Sequence, residues 1–123
     1  MQLRLLIVDD NAGFIQAARD LLQRQGAEVV GVASNGEDAV RLARELQPDG
    51  VLVDVELGPE SGFDLARGLT VEYQQRVVLI SVHSESEFVD LIATTPAVGF
   101  IPKSDLSLGR ITDVLDSALP TEE

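Results

Sequence analysis

The chain changes hydrophobic rhythm repeatedly. A short run of consecutive apolar residues is followed each time by a longer stretch in which apolar residues recur every three or four positions. Leu5-Leu6-Ile7-Val8 reads as a strand buried on both faces. The stretch behind it, residues 13–25, carries Phe14, Ala18, Leu21 and Leu22 on one stripe, as a helix lying on a sheet does. Five such pairs follow one another along the chain. Residues 4–8 precede the helix at 13–25, with Gly26 where a C-terminal cap belongs. Strand 28–33 leads through Ser34-Asn35-Gly36 into a helix with Ala39, Leu42, Ala43 and Leu46 on one face, stopped by Pro48. Strand 50–53 is followed by a loop with Gly58-Pro59 and a helix over 62–73. Strand 76–82 leads to a short helix near 85–93, burying Phe88, Leu91 and Ile92 and closed by Pro96. Strand 99–102 leads to a last helix, 107–119, capped by Ser107, with Leu108, Ile111, Leu115 and Ala118 inward. Crossovers between parallel strands are right-handed, so this order predicts a parallel sheet covered on both faces. The fold class is α/β: one doubly wound (βα)5 sandwich.

The 123 residues suit a single domain with an aliphatic core, since 45% are hydrophobic and only 4% aromatic. The last three residues, 121–123, read as a frayed tail. Without cysteine there is neither a disulfide nor a thiolate metal site, which fits a reducing, cytoplasmic setting. No apolar run reaches the roughly 20 residues that span a membrane, and Met1-Gln2-Leu3-Arg4 does not resemble a signal peptide. The formal charge is −12, from 21 acids against 9 bases. Such a surface repels phosphate backbones and argues against direct nucleic-acid contact.

Three of the apolar runs end in ionisable residues. Asp9-Asp10 follow the first, Asp54 the third and Lys103 the fifth. In open α/β sheets ligands gather beyond the carboxyl ends of the strands, so these groups converge on one pocket. One Asp of the pair suits a helix N-cap; the second, after an apolar strand, points to a metal. Crowded carboxylates repel unless a cation is present, and hard oxygen ligands suit Mg2+. Asp54 is then a nucleophile toward phosphorus, with Lys103 pairing a carboxylate and then phosphate oxygens. Ser81, ending the fourth strand, offers a hydroxyl to the same group. Glu56 is suited to offer its backbone oxygen to the metal, its side chain lying at the rim. His83 reads as a loop residue.

Four segments together resemble the receiver domain of bacterial two-component response regulators: Leu6-Ile7-Val8-Asp9-Asp10-Asn11, Val53-Asp54-Val55-Glu56, Ile80-Ser81 and Gly99-Phe100-Ile101-Pro102-Lys103. The likeness extends over essentially the whole chain, with residues 1–120 as the receiver. It implies the flavodoxin-like strand order 2-1-3-4-5, which periodicity alone does not supply. It also implies that Asp54 is the phosphoacceptor, served by a sensor histidine kinase or a histidine phosphotransfer protein. Asp10 is then a direct ligand of Mg2+, Asp9 acts largely through water, Asp54 joins the metal set, and Glu56 adds its carbonyl. Ser81 and Phe100 are the switch pair, and Lys103 contacts the phosphoryl group. Such a domain catalyses only its own phosphorylation and dephosphorylation. Its output passes to a downstream protein, or to a second copy, through the face of the fourth helix, fifth strand and fifth helix.

Two positions depart from the family. Val82 stands where a small residue commonly leaves an approach to the phosphoryl site, and Lys103 is followed by Ser104 instead of proline. A phosphorylation-independent interaction module with the same fold is the main alternative. A Mg2+-dependent phosphohydrolase built on Asp54-Val55-Glu56 lacks room for a cap domain. A flavin binder is disfavoured by the acids of Asp9-Asp10-Asn11-Ala12, which repel a phosphate.

Overall fold

A computed structural model describes residues 2–117. Ala118 and Leu119, expected to finish the last helix, and the expected tail at 121–123 lie outside the described residues. The elements run β1 (Arg4–Val8), α1 (Ala12–Arg24), β2 (Glu28–Ala33), α2 (Gly36–Leu46), β3 (Gly50–Asp54), α3 (Gly62–Tyr73) and β4 (Val77–Ser81). A 3-10 turn (Glu85–Phe88) then runs into α4 (Val89–Thr94), β5 (Gly99–Pro102), a 3-10 turn (Lys103–Asp105) and α5 (Leu108–Ser117). All five strands are parallel, in the order β2-β1-β3-β4-β5. This is the doubly wound, flavodoxin-like arrangement expected above.

Strand side chains alternate between faces, and the two core clusters divide accordingly. Leu6, Val8, Val51, Val53, Val77, Leu79 and Phe100 pack beneath α2, α3 and the start of α4. Leu5, Ile7, Leu52, Val78, Ile80 and Ile101 pack beneath α1 and α5. Both faces are covered, so the central strands have no polar side and read as continuous apolar runs.

The ends of the elements explain the loops. Asn11, and neither Asp9 nor Asp10, caps α1: its side chain accepts the Phe14 N–H at 2.9 Å. Asn35 caps α2 in the same way, accepting from Asp38 at 2.8 Å. Gly26, just beyond α1, has φ +108, a conformation that costs other residues a steric penalty. Ser107 accepts the Arg110 N–H at 3.1 Å and so caps α5.

Two details differ from expectation. Glu56–Leu57 and Glu60–Ser61 pair as a small antiparallel hairpin around Gly58-Pro59, where only a turn is legible. The segment at 85–93 is not one helix but a 3-10 turn followed by six α-helical residues, without a side-chain cap on either piece. Leu91, expected inside, is 50% exposed, while Phe88 and Ile92 lean on the core. So short a helix touches the core along a single stripe four residues apart, and Leu91 falls beside it.

Candidate functional site

Register brings the ionisable groups together. Val8 is level with Val53, Asp54 with Ile80, and Ser81 with Pro102. Asp9 and Asp54 therefore stand at one height at the carboxyl edge, and Lys103 lies two residues beyond Ile101, the residue level with Asp54 through Ile80. Parity does the rest. Asp54 shares the face of Leu52, while Asp9 and Lys103 continue the faces of Ile7 and Ile101, so all three lie toward α1 and α5.

The resulting contacts are short. Lys103 Nζ lies 2.7 Å from Asp9 Oδ2 and 3.4 Å from Asp54 Oδ2. Asp9 is fully buried and Asp54 only 6% exposed. Asp9 Oδ1 accepts the Asn11 N–H at 2.8 Å, and Asp54 Oδ1 the Glu56 N–H at 3.2 Å. Lys103 approaches Asp9 Oδ2 closely but off the hydrogen-bonding direction, which leaves that buried oxygen without a hydrogen-bond partner. Burial pushes the Asp54 carboxyl above its ordinary value of 3.8; the Asp9 charge adds to this, while the Glu56 N–H and Lys103 oppose it.

Asp10 is exposed, yet it completes a group with Asp9 and Asp54 in which one carboxylate oxygen from each lies within 4.8 Å of the others. Close carboxylates, one with a buried oxygen lacking a hydrogen bond, fit a hard divalent cation. Receiver domains bind Mg2+ at an aspartate cluster of this kind, and these residues fit it.

Ser81 and Phe100 occupy the other face. Ser81 is fully buried, and its hydroxyl accepts the His83 N–H at 3.0 Å; among the described residues it makes no hydrogen bond to Asp54. Phe100 is buried, its ring 6.1 Å from that of Phe88, which is 5.6 Å from Phe63. Glu56 does lie exposed at the rim, 3.9 Å from His83, whose other nitrogen is 3.4 Å from Glu87. Val82 is 70% exposed. The backbone beyond β5 carries no cis peptide bond among the described residues and turns as the short 3-10 helix Lys103–Asp105.

Three features escaped sequence reasoning. Phe14, read only as part of a core stripe, has its ring centroid 4.2 Å from Lys103 Nζ. Glu60 reaches from the hairpin to α2, where Oε1 accepts the Gly36 N–H at 2.9 Å and so satisfies a helix-terminal donor. Gly62 is required by contact: a Cβ there would collide with the backbone carbonyl of Asp54 and with Val55. A signal for Lys103 did exist. It is the only lysine in the chain, the other eight of the nine bases being arginine.

A five-stranded parallel sheet in this order, with acids and a lysine at its carboxyl edge, defines a receiver-type fold. The profile of the response regulator receiver domain matches residues 5–116, and the chain belongs to that family. It is a receiver domain of two-component signalling. Among its relatives, the response regulator GacA of Pseudomonas aeruginosa is 34% identical over 106 residues, covering 82% of this chain and 48% of GacA. A protein-glutamate methylesterase/protein-glutamine glutaminase of Geobacter sulfurreducens is 35% identical over 104 residues, covering 83% of this chain and 28% of that protein. A solved LuxR-family response regulator from Aurantimonas sp. SI85-9A1 superposes with a TM-score of 0.84 at 28% identity, over 95% of this chain and 87% of that one. The chain spans about half the length, or less, of the curated relatives it matches. No helix among the described residues is long and apolar enough to cross a membrane.

Proposed function

We propose that Asp54 accepts a phosphoryl group from the phosphohistidine of a sensor kinase or a histidine phosphotransfer protein. The observation that carries this reading is the meeting of Asp54 Oδ2 with the lone lysine at 3.4 Å, inside a three-aspartate group. A carboxylate oxygen of Asp54 attacks phosphorus, the phosphorus–nitrogen bond of the donor breaks, and its electron pair returns to the imidazole. Lys103 leaves its ion pairing with Asp9 and Asp54 to meet the phosphoryl oxygens. Asp9, Asp10, Asp54 and the Glu56 carbonyl hold Mg2+, which, when bound, offsets the negative charge of the carboxylates and of the phosphoryl group.

Ser81 exchanges the His83 amide for the phosphoryl group, and Phe100 repacks with it. Their neighbours Phe88 and α4 pass the change outward, so the partner, or a second copy, docks on the α4-β5-α5 face. The whole of residues 1–120 serves as one signalling unit without substrate turnover of its own, in the cytoplasm, where the donor histidine resides. A phosphorylation-independent module with the same fold is the second reading, favoured by Val82 and opposed by the intact acids and Lys103.

The test is intact mass after incubation with Mg2+ and acetyl phosphate. Wild type gains one phosphoryl mass, while Asp54→Ala gains none and keeps its far-UV circular dichroism. A variant that still labels at the wild-type rate places the acceptor elsewhere.

A further inference from the structure

Lys103 is held by more than two carboxylates. Its ammonium lies 4.2 Å from the Phe14 ring centroid, inside the ~6 Å within which a cation is drawn to an aromatic face. The lysine side chain is 11% exposed, so little water competes for that face. Four residues close a circuit here. Lys103 pairs with Asp9 Oδ2, Asp9 Oδ1 accepts the Asn11 N–H, and Asn11 Oδ1 accepts the Phe14 N–H. The Phe14 ring then returns to Lys103. The residue that caps α1 thereby also holds the backbone from which the ring projects.

A lysine ammonium is a point charge on a flexible stem, and ordering it costs rotamer entropy. Two carboxylates on one side do not by themselves define its position, the more so because Asp9 meets it off the hydrogen-bonding direction. An aromatic floor removes the rotamers that turn away from Asp54. It also attracts the cation without neutralising it, which keeps the full charge available for an incoming anion.

We propose that Phe14 is a positioning residue: its ring seats the Lys103 ammonium beside Asp54 and thereby sets the rate at which Asp54 is phosphorylated. This rests on Asp54 being the phosphoacceptor. Phe14 acts through Lys103 and does not touch the phosphoryl group.

Because Lys103 is the sole lysine, 13C-lysine labelling of the whole chain yields one ε-methylene signal. In wild type and in Phe14→Tyr its protons are shifted upfield by the ring; in Phe14→Leu, which keeps an apolar group of similar bulk, the shift is lost. With Mg2+ and acetyl phosphate, Phe14→Leu labels roughly three- to thirtyfold more slowly, the span of a partly desolvated cation–π contact, and Phe14→Tyr restores the rate. In a Lys103→Met background Phe14→Leu has no further effect, since its partner is gone. Equal slowing in that background, or an unshifted lysine signal in wild type, overturns the proposal. The wild-type shift needs no variant and stands even if Phe14→Leu fails to fold. If wild type never labels, the phosphoacceptor reading fails, and the lysine shift alone decides whether the ring seats the ammonium.

Discussion

α3 and α4 flank the same stretch of sheet and are built in opposite ways. α3 is twelve residues long, capped by Ser61, and buries Gly62, Phe63, Ala66 and Leu69. Its first residue presses so closely on the Asp54 backbone that no side chain fits there. α4 has six residues, no side-chain cap and no buried residue, and leaves Val89 58% exposed. One helix locks β3, the strand that carries Asp54, in place, and the other is left compliant near Phe100. A signal arising at the carboxyl edge has a rigid wall on one side and a yielding one on the other. Few buried contacts and an uncapped end are what low local stability means physically.

Hydrogen exchange gives the largest contrast. The expected outcome is that amides of Val89–Thr94 open at a cost near zero, while those of β1, β3 and β4 require global unfolding, of the order of 5–15 kcal/mol in a domain of this kind. Beryllofluoride with Mg2+ slows exchange in α4 and around Phe100 but not along α3. Equal protection of both helices in the free protein breaks the comparison.

Substitution in each helix measures the same asymmetry. Gly62→Ala overpacks against backbone that cannot yield and destabilises by about 3 kcal/mol or more. Leu91→Ala, at an exposed position, costs less than about 0.5 kcal/mol. Urea denaturation of the two variants checks both figures.

Mg2+ sharpens the rigid side. A cation that binds the native aspartates and not the unfolded chain stabilises by about 1.4 kcal/mol at ten times its Kd. Asp10→Asn removes most of that gain, and Leu91→Ala none of it, in thermal unfolding with and without millimolar Mg2+.

The smallest effect is electrostatic and depends on pH. Asp54 titrates above 3.8 in the native state, chiefly because it is buried. Between the unfolded and native values the native state holds a proton that the unfolded chain has lost. Stability therefore falls as pH rises through that window and stays lower above it. Asp54→Asn abolishes the fall. Without Mg2+ it melts higher than wild type at neutral pH. Near pH 3 the advantage disappears.

Most of the architecture was legible in the chain. Continuous apolar runs at Leu5–Val8 and Val77–Ile80 mark strands buried on both faces, and the turn at Ser34-Asn35-Gly36 and the cap Ser107 bound helices. Asp9, Asp10, Asp54 and Lys103 were legible because strand ends in a parallel sheet share one edge. The hairpin at 56–61 and the split of the segment at 85–93 were not, since both turn on contacts made after the sheet assembles.

The amino-acid sequence by itself determined the alternation of strand and helix, and with it the right-handed parallel sheet and the edge where acids and lysine gather. Those follow from local periodicity and chirality, which every window of the chain carries. Only tertiary structure decided which faces those side chains take. It placed Asp9 and Asp54 against Lys103, with Lys103 on the Phe14 ring, and set Ser81 against the His83 amide and Phe100 against Phe88. Register and parity between strands far apart in the chain are properties of the assembled sheet, and no single segment encodes them.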